Sequence, residues 1–235
     1  MTGPQVPGDS VAKRGFYVRF GKRIFDLGVA TVALVVLSPL LLTLSLASLL
    51  FLGPPVIFTQ VRAGLKGRPF TLCKFRSMLD LRDASGILLP DEQRLTAYGK
   101  LLRATSMDEL PGFWNVLKGD LSLIGPRPLP PEYTRFYSAQ QAKRLDAKPG
   151  MAGYAALFGR NAQPWEALFE RDVWYSRNVS FALDLRTIFG VVKLVLSRQG
   201  IDRGDHDAAS PFAEILKKNL GIRDPNGTGM RERDS

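Results

Sequence analysis

The chain has 235 residues and a formal net charge of +10, which favours anionic partners such as phospholipid headgroups, nucleotides or nucleic acid without choosing among them. Its one cysteine, Cys73, excludes an intramolecular disulfide and a metal site built on several thiolates, and it fits a reducing compartment. The one histidine, His206, lies in a polar stretch near the C-terminus, so acid-base or nucleophilic chemistry in the main body falls to carboxylates.

A long apolar run near the N-terminus predicts a membrane segment. Residues 27–61 contain no charged side chain. As one straight helix this run would be about 52 Å long, against a hydrocarbon core of about 30 Å. Near its middle, Ser38-Pro39 predicts a kink, because the proline removes a helix hydrogen bond and crowds the carbonyl of Val35. The serine hydroxyl supplies a local substitute bond.

Basic residues flank both ends of the run, and such residues favour the cytoplasmic side. They are Lys13, Arg14, Arg19, Lys22 and Arg23 before it, and Arg62, Lys66, Arg68, Lys74 and Arg76 after it. Each arm, 24–37 and 39–52, is about 21 Å long as a helix and is too short to cross alone. We therefore expect a re-entrant hairpin that turns at Pro39 and keeps both ends cytoplasmic. A single spanning helix and a signal peptide remain as alternatives.

The rest of the chain predicts a compact cytoplasmic domain, so the overall class is α+β and mostly helical. The expected division is a basic segment at 1–23, a re-entrant membrane hairpin at 24–60, a catalytic domain at 61–201 and a polar tail at 202–235. Short extended segments at 56–58 and 69–75, joined by a turn at 64–67, predict a β-hairpin.

Helical spacing of apolar residues predicts the remaining elements. Helices are expected at 94–105, 110–118, 131–145, 163–178 and 184–196, with a turn at 148–153. The 184–196 helix has basic residues at the edges of its apolar face, which is typical of an amphipathic helix on an anionic membrane surface. Packing into the core of the domain is the alternative for this helix.

Two adjacent carboxylates, Asp108 and Glu109, fall where a helix is predicted to begin. Ser106 followed by Glu109 fits a capping box, and acidic residues in a first turn suit the helix dipole, so a structural role is the simple interpretation. Five basic residues in short rigid motifs favour a phosphate site instead: Lys74, Arg76, Arg103, Arg127 and Arg160. Each alone is typical of a solvated surface charge, whereas the group indicates phosphate chemistry.

Five motifs carry a family resemblance, and they occur in the family's order. They are Lys22-Arg23-Ile-Phe-Asp26, Lys74-Phe-Arg-Ser-Met78, Ser106-Met-Asp-Glu-Leu-Pro111, Asn115-Val-Leu-Lys-Gly-Asp120 and Gly125-Pro-Arg-Pro128. The chain resembles the bacterial sugar transferases, the small monotopic polyprenol-phosphate phosphoglycosyltransferases, from about residue 22 to residue 201. Several long motifs in register are far more specific than one short pattern.

The resemblance implies a reaction and a site. Asp108 attacks the sugar-bearing phosphorus of a UDP-sugar, UMP leaves, and polyprenyl (undecaprenyl) phosphate captures the phosphosugar. Glu109 supports proton handling or acceptor activation, and Mg²⁺ binds at Asp108 and the donor diphosphate. The five basic residues hold phosphate groups, and the family's helix break matches Ser38 and Pro39.

The resemblance also implies a setting. We expect the enzyme at the cytoplasmic face of the bacterial inner membrane, among its phospholipids, initiating surface-glycan, exopolysaccharide or glycoprotein-glycan assembly. An N-acetylated amino sugar is the expected donor, by resemblance only. Four residues depart from the family pattern in a loop that bears on donor choice: Ala152, Tyr154, Ala156 and Phe158. Leu145 stands where a family histidine is usual.

Two other functions compete with this one. A membrane-bound glycosyltransferase would transfer the sugar alone and release UDP. A non-catalytic protein that binds anionic lipid would use the basic flanks, but it leaves the acidic pair beside fixed arginines unexplained. A nucleic-acid partner is not expected, because the aromatic residues do not interleave with the basic ones as a stacking platform requires.

Overall fold

The computed structural model describes residues 15–159 and 163–197. Over these ranges the fold is α+β and mostly helical, as expected. The helices are α1 (Lys22–Val36), α2 (Ser38–Leu52), α3 (Asp91–Arg94), α4 (Ala97–Ala104), α5 (Gly112–Lys118), α6 (Trp165–Arg177) and α7 (Phe181–Leu196). The strands are β1 (Ile57–Ala63), β2 (Pro69–Phe75), β3 (Ser122–Ile124) and β4 (Gly150–Ala152). The predicted polar tail at 202–235 lies outside the described residues.

The apolar run forms two helices that meet at the expected break. Pro39 lies in the first turn of α2, where its missing N–H costs no helix bond. The Ser38 hydroxyl donates to the Val35 carbonyl at 2.8 Å, which is the substitute bond that the sequence predicts. No single described helix is long and apolar enough to cross a membrane. The pair Tyr17–Val36 and Ser38–Leu52, bent by 63°, has the length and composition of a broken span or a re-entrant loop.

The first arm, α1, is fixed to the domain by polar contacts in its opening turns. The Arg23 guanidinium donates to the carbonyls of Val116 and Leu117 at 2.5 and 2.8 Å, where α5 ends. Buried Asp26 accepts a hydrogen bond from the N–H of Leu123 in β3 at 3.1 Å. The two Arg23 contacts satisfy carbonyls of the kind that every helix leaves open at its C-terminus. The base of the hairpin is therefore tied to the domain.

The second arm, α2, packs on an apolar cluster that extends to the acidic pair. The buried members of the cluster are Leu44, Phe75 and Leu102, which come from α2, β2 and α4. Met107 and Leu110, on either side of Asp108 and Glu109, pack against it. The turn that carries the two carboxylates thus packs on the same apolar cluster as α2.

The predicted β-hairpin is confirmed, although its first strand is longer than expected. β1 and β2 pair antiparallel from Ile57 opposite Phe75 to Ala63 opposite Pro69. The connecting turn includes Lys66 and Gly67 with φ of 56° and 75°, a conformation that glycine adopts at little cost. The hairpin brings Lys74, near the end of β2, towards the acidic turn.

The helices predicted at 110–118, 163–178 and 184–196 are confirmed as α5, α6 and α7, whereas the helix predicted at 94–105 is interrupted. Its first residue, Arg94, ends the short helix α3. Leu95 is extended and forms an antiparallel bridge with Met78. The strand-like contact overrides the local helical pattern, and the helix restarts at Ala97.

The single helix predicted at 131–145 is wrong. Two 3₁₀ turns, Pro131–Phe136 and Gln141–Asp146, take its place. The Ser138 N–H donates to the Gln141 side chain at 2.9 Å, and the Gln141 N–H donates to the Ser138 hydroxyl at 3.2 Å. This reciprocal pair has the pattern of a capping box, so it begins a new turn instead of continuing the old one.

The turn predicted at 148–153 is also wrong, because Gly150–Ala152 forms β4 and pairs with β3 in parallel. Two glycines permit the close approach of these strands. A Cβ atom added at Gly150 would lie 2.1 Å from the backbone nitrogen of Gly125, which no real side chain tolerates. Parallel pairing of segments this far apart in the chain leaves no local signal.

Asn115 joins the β-hairpin to α5 and is fully buried. Its side-chain oxygen accepts from the N–H of Cys73 at 2.9 Å, and its Nδ2 donates to the carbonyl of Thr71 at 2.7 Å. Both partners lie in β2, just before Lys74. The amide therefore sets the position of β2 relative to α5.

We expect Asn115→Ala to lower the midpoint of thermal unfolding by about 5 °C. Leaving two backbone groups without partners costs about 2 kcal/mol, and a chain of this size loses about 2–4 °C per kcal/mol. Exposed Asn178 bonds only within its own helix end, so Asn178→Ala serves as the control and should shift the midpoint by less than about 1 °C. Equal shifts for the two variants in detergent-solubilised protein would contradict the role of Asn115.

Candidate active site

Asp108 and Glu109 lie in a 3₁₀ turn, Met107–Glu109, between α4 and α5. The preceding residue, Ser106, has φ 56° and ψ 19°, which is left-handed backbone. An N-cap residue has extended backbone instead, so the capping box predicted for Ser106 and Glu109 is wrong. The left-handed residue reverses the chain after α4, and this reversal presents the two carboxylates to β2.

The Glu109 carboxylate lies between two basic side chains. Its Oε1 is 3.4 Å from Nζ of Lys74 and 3.8 Å from Nη1 of Arg127. Lys74 comes from β2, and Arg127 comes from the rigid motif after β3. Three segments that are distant in the sequence therefore meet at the acidic turn.

Asp108 is half-buried, and its pKa is raised from an ordinary 3.8 to about 6. Burial is the largest cause of this rise, and the neighbouring negative charge of Glu109 is the second. The positive charges of Lys74, Arg103 and Arg127 oppose these effects and hold the pKa down. Removing a carboxylate from water penalises its charged form, while nearby cations favour it. A carboxyl of this kind is ionised at neutral pH but is less stable as an anion than a solvated aspartate.

The other predicted phosphate-binding residues differ in what they contact. Arg103, at the end of α4, donates from Nε to the Ser77 hydroxyl at 2.9 Å and acts electrostatically on Asp108. Arg76 donates to the carbonyls of Leu52 and Gly53 at the end of α2. The structure thus gives Arg76 a helix-terminating role, and its binding of phosphate stays a prediction. Arg160 lies outside the described residues.

An open pocket lies beside Glu109, bounded by β1, β2 and the motif that contains Arg127. Its lining residues are Arg62, Leu72, Cys73, Lys74, Glu109, Gly112, Leu121, Arg127, Pro128, Gly150 and Met151. Arg62 is 4% exposed and donates to the Gln60 side chain at 2.5 Å. The sequence marked it only as part of a basic flank. No local signal in the sequence indicated the burial of Arg62, because Val61, the apolar residue before it, is the exposed one of the two.

None of the four residues that depart from the family pattern lines the pocket, although they follow two residues of the chain that do. Gly150 and Met151 line it, while Tyr154 stacks on Trp174 at 4.9 Å between ring centroids. Phe158 meets Tyr154 edge to face at 5.2 Å. These aromatic side chains pack the loop against α6, so their effect on a ligand is exerted through the loop. An influence on donor choice stays a prediction.

Comparison with known proteins gives a family match over most of the chain. Residues 17–198 match the family model described as bacterial sugar transferase. The sugar transferase EpsL of Bacillus subtilis (strain 168) is 51% identical over 191 residues, which are 81% of this chain and 95% of that protein. The family match at 17–198 spans the helix pair, the acidic turn and the basic motifs.

The names of two longer relatives state their substrates. The undecaprenyl-phosphate galactose phosphotransferase of Salmonella typhimurium is 35% identical over 82% of this chain and 43% of its own length. The UDP-N-acetylgalactosamine-undecaprenyl-phosphate N-acetylgalactosaminephosphotransferase of Aeromonas hydrophila is 34% identical over 77% of this chain and 45% of its own length. The chain thus spans nearly all of the Bacillus protein and less than half of each of these two.

The raised pKa of Asp108 predicts a stability effect that is independent of any reaction. Its charged form lowers stability above pH 6, and this cost disappears as the pH falls through about 6 towards 3.8, because the folded state then takes up the proton. We expect Asp108→Asn to raise the unfolding midpoint by about 4 °C at pH 7.5 and by about half as much at pH 5.

Exposed Asp80, paired with Arg82 at 3.2 Å on the surface, provides the matched control. Asp80→Asn should leave the midpoint within about 1 °C at both pH values, because surface ion pairs contribute little. An Asp108→Asn protein that is no more stable than the wild type at pH 7.5 would show that the charged form of Asp108 does not lower the stability of the folded protein.

Proposed function

Because the chain belongs to the bacterial sugar transferase family, we propose that it moves a sugar 1-phosphate from a UDP-sugar to polyprenyl phosphate and releases UMP. The observation that supports this most is the acidic turn. Two adjacent carboxylates lie among three cations from separate parts of the chain, and one carboxyl has its pKa raised to about 6. The same turn packs against the apolar hairpin.

The first step forms a covalent intermediate on Asp108. A carboxylate oxygen of Asp108 attacks the sugar-bearing phosphorus, a new P–O bond forms, and the bond from that phosphorus to the bridging oxygen breaks. UMP leaves with the bridging oxygen and its electron pair. A carboxylate whose pKa is about 6 is mostly ionised at neutral pH and is more basic than an ordinary aspartate, which suits a nucleophile.

The second step transfers the phosphosugar to the lipid. A phosphate oxygen of polyprenyl phosphate attacks the same phosphorus, and the bond to the Asp108 oxygen breaks. The carboxylate is regenerated and the product is a polyprenyl-diphosphate-sugar. We assign Glu109 to acceptor activation or proton handling, because its carboxylate faces Lys74 and Arg127 at the edge of the pocket.

Repulsion between the carboxylates and an anionic donor has to be neutralised for this chemistry. Lys74 and Arg127 lie within 4 Å of Glu109, and Arg103 acts on Asp108. Arg62, buried in the pocket wall, adds a fourth positive charge. We propose that these residues hold the phosphate groups of the donor and the acceptor.

Mg²⁺ suits this donor set. Within the described residues there is no group of three or more His, Cys, Asp or Glu side chains that would form an all-protein metal cage. Mg²⁺ is usually held by one or two carboxylates together with substrate phosphates and water, and Asp108 with Glu109 meets that requirement. When bound, the ion would neutralise charge on the diphosphate. Asp108 is the residue proposed to hold it.

The setting proposed for the reaction is the cytoplasmic face of the bacterial inner membrane. A re-entrant hairpin of α1 and α2 would place the acidic turn at the membrane surface, because Met107 and Leu110 pack on the α2 cluster. On α7, Phe181, Phe189 and Val192 are exposed. Together with the basic residues of that helix, they have the character of an interfacial surface among phospholipids.

Nucleotide release tests the proposed reaction. Membrane-extracted protein given Mg²⁺ and a UDP-sugar without acceptor should release about one UMP per enzyme and gain the mass of one sugar phosphate on Asp108, because the first step is covalent. This release of about one UMP per enzyme is a burst, and adding polyprenyl phosphate should convert it into continuous turnover. Asp108→Asn should reduce both to below about a thousandth of the wild-type values.

The Asp80→Asn protein is the matched control and should retain the burst. Release of UDP would instead support a glycosyltransferase that moves the sugar alone, and binding of anionic lipid without nucleotide release would support the non-catalytic alternative. The relatives named for galactose and N-acetylgalactosamine make UDP-galactose and UDP-N-acetylgalactosamine the first donors to compare. An N-acetylated donor is our expectation.

The proposed topology has its own prediction. In a Cys73→Ser background, single cysteines at Gly3→Cys and Ser85→Cys should both be protected from a membrane-impermeant maleimide in intact cells. Both should react in inverted membrane vesicles, because a re-entrant hairpin leaves the two sites on the cytoplasmic side. Ser85 is exposed, so reagent access does not limit its labelling. Labelling of the two sites from opposite sides would mean a spanning helix.

A further inference from the structure

Arg144 is an arginine buried behind the candidate site, with 1% of its surface exposed. Its Nε and Nη2 donate to one oxygen of Asp172, in α6, at 3.1 and 2.5 Å. Its Nη1 donates to the Tyr137 hydroxyl at 3.2 Å. Its Nη2 also donates to the backbone carbonyl of Arg127 at 2.8 Å. One buried guanidinium thus joins α6 to the residue that approaches Glu109.

A buried ion pair is weak evidence for stability, because desolvation of the two charges offsets their attraction. Geometry is the more informative property of this pair. The guanidinium lies 5.1 Å from the ring centroid of Phe169 and 5.8 Å from that of Tyr137. A planar fork can serve Asp172 and the Arg127 carbonyl together, whereas the single ammonium of a lysine cannot reproduce this arrangement.

The motif that contains Arg127 depends on its carbonyls for anchoring. It reads Gly125-Pro126-Arg127-Pro128, and its two prolines have no N–H to donate. The Pro126 carbonyl accepts from the N–H of Gly150 at 3.0 Å, and the Leu129 carbonyl accepts from the N–H of Ala63 at 2.8 Å. The Arg127 carbonyl, between these two anchors, is held by Arg144.

The side chain of Arg127 points the other way, towards the site. It is 47% exposed, and Nη1 lies 3.8 Å from Oε1 of Glu109. A solvated arginine loses side-chain freedom when it binds phosphate, and a mobile backbone would add a further entropic cost of ordering. A fixed backbone therefore improves binding of the ligand that the side chain meets.

We infer that Arg144 and Asp172 are positioning residues, which hold the backbone of Arg127 so that its guanidinium meets the diphosphate of the donor. Neither residue touches the substrate. The inference deepens the proposed function and rests on it for the identity of the ligand. The contact between Arg144 and the Arg127 carbonyl is independent of that function.

A double-mutant cycle on UMP release tests the coupling. Arg144→Lys should raise the KM for the UDP-sugar about tenfold and change kcat by less than about twofold, because it weakens donor binding and leaves Asp108 in place. Arg127→Ala should raise KM at least as much. In the Arg127→Ala background, Arg144→Lys should have no further effect on KM, since both changes weaken the same contact between Arg127 and the donor.

Val173→Ala is the matched control. Val173 is buried next to Asp172 in α6, and its truncation lowers the unfolding midpoint by leaving a cavity, without touching the bonds of Arg144. It should leave KM unchanged. If Arg144→Lys raises KM equally in both backgrounds, or if Val173→Ala raises KM as Arg144→Lys does, the positioning role is wrong and only a structural role remains.

Amide hydrogen exchange gives a second readout that needs no activity. Arg144→Lys should speed exchange at Gly150 and Ala63, whose N–H groups bond the Pro126 and Leu129 carbonyls on either side of Arg127. The other amides that pair β1 with β2 should exchange as they do in the wild type. Unchanged exchange at both amides would overturn the inference, even if the enzyme turns over normally. A wild-type protein that releases no UMP would overturn the proposed function, and the exchange result would still decide the positioning role.

Discussion

The apolar cluster shared by α2 and the turn that carries Asp108 is the constraint on which the site depends. Leu44 of α2 packs with Phe75 and Leu102, and Met107 and Leu110 close the cluster on either side of the two carboxylates. Asp108 is partly removed from water in this turn, and burial together with the charge of Glu109 raises its pKa to about 6. Nearby cations stabilise a carboxylate in that position, and they are Lys74 of β2, Arg103 of α4 and Arg127 after β3.

The basic residues that look alike in the sequence divide into two kinds in the structure. Lys74 and Arg127 lie within 4 Å of Glu109 and face the pocket. Arg76, two residues after Lys74, instead ends α2 by donating to the carbonyls of Leu52 and Gly53. Side chains two residues apart share a face within a strand, so the two residues differ because β2 ends at Phe75 and Arg76 lies beyond it. One basic motif therefore contributes both to the site and to the anchoring of the hairpin.

Features with a local cause could be predicted from the sequence, and those that depend on distant contacts could not. The break at Ser38 and Pro39, the β1–β2 hairpin and helices α5 to α7 follow from proline, glycine and apolar spacing. The capping box failed because tertiary packing holds Ser106 in left-handed backbone. β4 was missed because its partner lies nearly 30 residues earlier in the chain. Arg62 and Arg144 are buried arginines, and a solvated charge was the ordinary expectation for both.

Both arms of the hairpin are fixed to the elements that form the site. Arg23 and Asp26 tie α1 to the end of α5 and to β3, while Arg76 ties the end of α2 to β2. Since β2 carries Lys74 and β3 leads into the motif of Arg127, displacement of either arm would move a cation relative to the acidic turn. A lipid phosphate that arrives along such a hairpin would therefore meet carboxylates and cations whose spacing the hairpin itself helps to set. The helix pair and the site therefore form one structural unit.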